Sequence, residues 1–116
     1  MKNGKFISLK IKPLSVNEAW QGKRYKTPRY KAYEQELMLR LPPSIDIPKE
    51  GDLEIYFEFG IISTADYDNP IKPLQDILQK KYLFDDRRIV KATVIKRVIK
   101  KGEGYFKFGI ISYTED

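Results

Sequence analysis

The sequence predicts an α+β fold, one domain over residues 1–116 in which a mixed β-sheet packs against two helices in the order β-α-β-α-β-β. Three observations predict it. Four segments alternate apolar and polar residues with period two, and two others repeat apolar residues at helical spacing. Prolines end the first strand and the first helix and open the second helix. No internal repeat or low-complexity segment argues for another architecture.

The first strand runs from Lys5 to Lys12, with Ile7, Leu9 and Ile11 on one face and Phe6, Ser8 and Lys10 on the other. Pro13 ends it. Residues 14–28 read as a loop, rich in turn-forming and basic residues: Asn17, Gly22, Lys23, Arg24, Lys26 and Pro28. Trp20 within it reads as a lid on the core or as a platform for stacking a base. From Arg29 to Leu41, Tyr30, Tyr33, Leu37 and Leu41 follow helical spacing, and Pro42-Pro43 stops the helix. A loop over 42–51 leads to the clearest strand, Leu53 to Ile62, where Leu53, Ile55, Phe57 and Phe59 alternate with Glu54, Tyr56 and Glu58.

The second helix is expected to start at Asn69-Pro70, a capping residue followed by proline at the first helical position. Ile71, Leu74, Ile77, Leu78 and Tyr82 form its apolar stripe. Counted from an Asn69 cap, Pro73 falls one position beyond the naturally unpaired amides, which predicts an irregular first turn. Val90 to Ile99 and Tyr105 to Tyr113 are the last strands, expected to form a hairpin through Lys100-Lys101-Gly102-Glu103-Gly104.

Composition narrows the chemistry. A hydrophobic fraction of 41% with 13% aromatics supports a folded globule. No apolar run approaches the roughly 18 residues of a membrane span, and Met1-Lys2-Asn3-Gly4-Lys5 is no export signal, so a cytoplasmic protein without membrane contact is expected. The absence of cysteine excludes disulfides and thiolate metal sites. The absence of histidine excludes imidazole-ligated zinc, histidine general bases and histidine triads. Chemistry on phosphates must then use carboxylates, Lys, Arg and a metal.

The net charge of +6 is unevenly spread. Residues 1–31 carry nine Lys/Arg against one acid, residues 32–79 three against ten, and residues 80–101 nine against two. Basic segments, with Lys23, Arg24 and Lys26 in the first and Arg87 and Arg88 in the second, thus flank an acidic one and are candidate contacts to DNA phosphates. A solvated surface is the plainer reading of the same lysines.

The acidic stretch holds Asp66 and Asp68 in Ala65-Asp66-Tyr67-Asp68-Asn69, and Asp85-Asp86 follows the second helix. Lys72 and Asp76 continue from Asp68 at four-residue steps along one helix face. If a mixed sheet returns Asp86 beside Asp66 and Asp68, the three carboxylates repel unless a cation lies between them. Hard divalent ions such as Mg²⁺ or Mn²⁺ take such oxygen ligands. A metal so held lowers the pKa of a bound water and stabilises charge on a phosphate. Lys72 is then placed to meet the developing charge, with Asp76 orienting it. The bland alternatives are a helix cap at Asp68-Asn69-Pro70, a turn at Asp85-Asp86 and an exposed Lys72–Asp76 ion pair.

At these residues the chain resembles the RusA family of Holliday junction resolvases, small endonucleases common in phages and prophages. The resembling pattern is Asp66-Tyr67-Asp68-Asn69-Pro70-Ile71-Lys72, then Asp76, then Phe84-Asp85-Asp86. Pro13-Leu14-Ser15-Val16-Asn17, the basic loop at Lys23, Arg24 and Lys26, and the helix of Tyr30 and Tyr33 extend the likeness over most of residues 6–112. Pro70, Pro73 and the glycine-free connection Gln79–Leu83 depart from the family pattern. The resemblance implies a Mg²⁺-dependent homodimeric endodeoxyribonuclease that makes paired nicks in four-way or other branched DNA. It assigns Asp66, Asp68 and Asp86 as metal-binding catalytic acids and Lys72 as the catalytic lysine, with Asp76 and Asn69 in support. The competing expectation is a non-catalytic nucleic-acid-binding module that retains the fold.

Overall fold

A computed structural model describes residues 5–21 and 25–115 of the chain. Its elements are β1 (Ile7–Leu9), α1 (Val16–Ala19), β2 (Trp20–Gln21), β3 (Tyr25–Lys26), α2 (Pro28–Arg40), β4 (Leu53–Ile61), α3 (Ile71–Tyr82), a 3₁₀ turn (Asp86–Arg88), β5 (Ile89–Val98) and β6 (Tyr105–Ser112). The expected α+β class holds. β1, β6, β4 and β5 form, in that order, one mixed sheet, and β2 pairs with β3 in a separate small ribbon.

β4 is the organising strand because its alternation is the strongest. Leu53, Ile55, Phe57 and Phe59 are fully buried, while Glu54, Tyr56 and Glu58 between them are half-buried on the other face. Its inward side chains meet Phe106, Phe108 and Ile110 of β6, then Tyr30, Tyr33 and Leu37 of α2 and Leu74, Ile77 and Leu78 of α3, in one continuous core. Truncating a ring at its centre, as in Phe57→Ala, costs about 3–5 kcal/mol by lost burial and cavity formation. The core residues lie on one side of the sheet only.

The expected β5–β6 hairpin does not form. β5 runs parallel to β4 after the α3 crossover, and β6 runs antiparallel to β4 on its other edge. The most apolar strand takes the centre and hydrogen-bonds on both sides. The 99–104 connection therefore crosses the end of β4, a gap of about 9–10 Å between strands two apart. It turns at Gly102, whose φ is +89°, with the Glu103 amide donating to the Lys100 carbonyl at 3.0 Å.

The stretch expected as a plain loop over 14–28 carries α1 and the β2–β3 ribbon. Ser15 caps α1 by accepting from the Asn17 amide, and Thr27 caps α2 by accepting from the Tyr30 amide, with Pro28 at the first helical position. Trp20 is half-buried against the core, its ring 5.9 Å from that of Tyr30, so the lid reading of this residue fits its position.

α3 begins at Ile71 with Pro70, not Asn69, at the cap position, and no side chain caps it. The shift removes the expected irregularity. Pro73 becomes the third helical residue, the last whose amide has no intrahelical partner anyway. The helix ends on Leu83 in the left-handed conformation (φ 55°), the place where the missing glycine would have been at ease.

Candidate functional site

The β4–α3 connection, residues 62–70, carries Asp66 and Asp68 on a chain of tight turns. The Ala65 amide donates to the Ile62 carbonyl, that of Asn69 to Asp66 and that of Ile71 to Asp68. These bonds consume the backbone of the two aspartates and leave both side chains exposed to solvent. Lys72 and Asp76 follow on the first turns of α3, with Nζ 3.2 Å from Oδ2. The lysine side chain is 61% exposed and the aspartate 29%, so the pair sits at the surface beside the acidic turn.

Two contacts fix this turn to the rest of the fold. The Val16 amide, at the start of α1, donates to the Asn69 carbonyl at 2.8 Å and brings the Pro13–Asn17 segment against it. Asn69 thus supports the site through its backbone. Lys96, on the inward face of β5, donates from Nζ to the carbonyls of Ser63 (2.8 Å) and Ala65 (2.5 Å). The sequence reading passed over Lys96, although its signal was present. Ala92, Val94 and Lys96 share a face by period two, and a lysine in an otherwise apolar row must find acceptors.

Lys26, the basic residue among those described in the β2–β3 ribbon, packs on α2. Lys26 places its ammonium 4.9 Å from the centre of the Tyr30 ring and 3.8 Å from Glu34 Oε2. Burial pushes the Tyr30 hydroxyl up to about 12, with the negative charges of Glu34 and, more weakly, Asp76 acting the same way. Lys23 and Arg24 lie outside the described residues.

Asp86 is elsewhere. β4 and β5 are parallel with Leu53 opposite Ile89 and Ile61 opposite Val98. Asp66 and Asp68 follow the end of β4, whereas Asp86 precedes the start of β5. A strand of this length spans about 26 Å at the usual rise, and α3, which runs back between the two ends, spans about 18 Å. The expectation that a mixed sheet returns Asp86 to Asp66 and Asp68 is therefore corrected. A parallel crossover puts the segment after one strand and the segment before the next at opposite ends of the sheet. Among the described residues there is no group of three or more His, Cys, Asp or Glu that could hold a metal ion.

At that far end Asp85 caps the 3₁₀ turn and holds Arg87 three ways, through its amide (2.9 Å), Nε (3.0 Å) and Nη2 (2.7 Å). The hydrogen bonds from the Arg87 side chain, then from its amide, bring the Asp85 carboxyl down to about 2. Arg88 donates to the carbonyls of Gly51 (2.9 Å) and Pro48 (2.6 Å) and clamps the loop before β4. Of the two arginines expected at phosphates, Arg87 is exposed, and Arg88 is engaged in holding the fold.

No protein-family model matches the chain, and no curated protein matches it. The likeness to the RusA resolvases rests on the residue spacing alone. No helix among the described residues is long and apolar enough to cross a membrane.

Proposed function

We propose that the chain is a structure-selective endodeoxyribonuclease that nicks four-way or similarly branched DNA with Mg²⁺, as a homodimer. The observation that carries the reading is the Asp66–Asp68 turn with Lys72 and Asp76 beside it. Two exposed carboxylates on one turn fit Mg²⁺, which takes one or two carboxylates and keeps places for water and phosphate. Bound there, the ion supplies an activated water and neutralises charge on the phosphate. Lys72 offers an ammonium to the phosphate oxygens, and Asp76 restrains it through the ion pair. Lys26, and Arg87 at the other end, contact DNA backbone rather than base edges.

A three-acid cage does not fit within one chain. In a homodimer the deficit has a geometric remedy. A two-fold axis perpendicular to α3 makes the paired helices antiparallel and interchanges their ends, so that Asp86 of one chain faces Asp66 and Asp68 of the other. On this reading each catalytic centre is shared, and two centres serve two strands.

The test is cleavage of a labelled four-way junction in Mg²⁺, with linear duplex and Asp68→Asn as controls. Symmetric nicks that disappear in the variant support the reading. Junction binding without nicks supports the second reading, a non-catalytic nucleic-acid-binding module, which the separation of Asp86 from the other acids favours. No junction binding overturns both.

A further inference from the structure

The face of the sheet turned away from the helices carries a built arrangement that the acidic turn does not use. Register places Glu54, Tyr56, Glu58 and Gly60 of β4 on it, flanked by Lys91, Thr93, Ile95 and Arg97 of β5 and by Tyr105, Lys107 and Ile111 of β6. Glu58 anchors two rings at once. Its Oε2 accepts from the Tyr105 hydroxyl at 2.7 Å and its Oε1 from the Tyr56 hydroxyl at 3.0 Å. Phe6 packs against Tyr56 with centroids 4.9 Å apart and planes at 64°, and the Lys107 ammonium stands 4.7 Å from the Phe6 ring centre.

Tyr105 lies opposite Gly60, and the glycine explains its pose. A Cβ at Gly60 would meet Cδ1 and Cε1 of the ring at 2.2 Å each and Cγ at 3.1 Å. Those three distances put that Cβ out of the ring plane, above the Cδ1–Cε1 side of the ring. The ring therefore covers β4 where a side chain is missing, and the residue remains half-buried on the open face of the sheet. The charges on this face are layered. Lys91 and Arg97 are 55% and 60% exposed, and their acidic partners Glu54 and Glu58 only 15% and 14%. The carboxylates lie low on the central strand, so the face presents its cations outward, Arg97 and Lys107 close to the Tyr105 ring and Lys91 further along the sheet.

From this geometry we infer that the open sheet face binds single-stranded DNA, with an unpaired base stacked on Tyr105 and phosphates met by Arg97, Lys107 and Lys91. The choice of DNA rests on the branched-DNA reading above, since a branch point offers unpaired bases. Aromatic platforms ringed by cations bind single strands because every base has a π-face and every nucleotide a phosphate. The outward cations are complementary to that backbone, whereas a second copy of the same face would meet them with like charge.

The test is fluorescence anisotropy of a labelled 12-nucleotide oligothymidine in EDTA, conditions that need no metal and no cleavage. Tyr105→Leu keeps Gly60 covered but removes the π-face, and is expected to weaken binding by about 5- to 150-fold. Tyr105→Phe keeps the ring and loses only the bond to Glu58, and is expected to bind like the parent. That split separates stacking from a role in holding Glu58. Arg97→Gln and Lys107→Gln are each expected to flatten the salt dependence by about 0.7. Circular dichroism of the variants confirms that the sheet is intact. Equal affinity for parent and Tyr105→Leu, or no affinity in the parent, overturns the proposal. So does a dimer that Tyr105→Leu breaks with DNA affinity unchanged, or tighter binding of an equal-length oligouridine. The sheet-face affinity is read in EDTA and junction cleavage in Mg²⁺, so failure of junction cleavage and failure of the sheet face are read separately.

Discussion

Lys96 reaches from the inward face of β5 to the carbonyl of Ala65, its ammonium 2.5 Å from that oxygen and 2.8 Å from the carbonyl of Ser63. One cation thus ties the edge strand to the turn that presents Asp66. Replacing it with a side chain of similar length and no donor, Lys96→Met, strands the part-buried carbonyl of Ala65, while that of exposed Ser63 turns to water. The expected loss is about 1–3 kcal/mol in urea unfolding. Junction cleavage falls further than stability explains, because the acidic turn loses its anchor. A variant that cleaves normally would remove Lys96 from the positioning of this turn.

Leu83 closes α3 at φ 55°, in a region that costs a non-glycine residue about 1–2 kcal/mol. Its side chain is exposed and contributes no core packing. Leu83→Gly relieves the strain and gives back part of it as unfolded-chain entropy. The net expectation is a stabilisation of about 0.5–1 kcal/mol, seen as a higher midpoint of urea unfolding at unchanged slope. A lower midpoint would mean that Leu83 makes a contact worth more than the strain.

The core and the acidic turn differ in what the sequence made legible. The period-two rows on β4 and β6 and the helical stripes on α2 and α3 survive in the fold, because burial of large apolar side chains dominates local structure there. Pairing order was not legible. Lys100–Gly104 has hairpin composition, but composition cannot tell whether the next strand lands beside its predecessor or one place further on. That depends on which strand is apolar enough to sit centrally, and on the α3 crossover that makes β5 parallel. The expected placement of Asp86 beside Asp66 and Asp68 within one chain failed for the same reason. Lys72 and Asp76 are one helical step apart, and local spacing is enough to pair them; the position of Asp86 depends on the direction of β5.

Glu58 gives the sheet face a pH signature. The hydrogen bond from Tyr105, then that from Tyr56, with Lys107 and Arg97 adding weaker attraction, outweighs burial and holds its carboxyl below the ordinary 4.5. A depressed folded pKa means that protonation occurs first in the unfolded chain. The contribution to stability is therefore complete above pH 4.5 and is lost as pH falls through the lower folded value. The difference in unfolding free energy between parent and Glu58→Gln is expected to be flat above about pH 5 and to shrink below it. The opposite sign holds at high pH. Burial and then Glu58 push the Tyr105 hydroxyl up to about 12, so its contribution is present below pH 10 and fades as pH rises through 12. A pH-independent difference between parent and variant would mean that Glu58 is not held by its two tyrosines.

Lys72 separates catalysis from structure. Its ion pair with Asp76 is an exposed four-residue step on a helix, of the kind worth about 0.3–0.5 kcal/mol. Lys72→Met should change the unfolding free energy by no more than that. If Lys72 meets the phosphate charge, the same variant loses cleavage by two or more orders of magnitude, while junction binding drops only slightly. A loss of activity matched by an equal loss of stability would return Lys72 and Asp76 to the role of a surface pair.

The separation of Asp86 from Asp66 and Asp68 leads to a complementation experiment. Let one chain carry Asp68→Asn and another Asp86→Asn, refold the two together, and follow nicking of a four-way junction. If centres are shared across the two-fold axis, each homodimer is inactive. The mixed dimer holds one centre with both lesions and one with neither, and it nicks a single strand per binding event. If each centre lies within one chain, both centres of the mixed dimer are damaged and no activity returns. If Asp86 takes no part, Asp86→Asn alone cleaves like the parent and the mixture only dilutes it. The three outcomes differ in the activity of Asp86→Asn before mixing and in its recovery afterwards, so one titration of the two variants distinguishes them. Recovery by mixing is the expected result, because the fold sets the two acidic ends about one helix length apart, and only a second chain can bring them to the same phosphate.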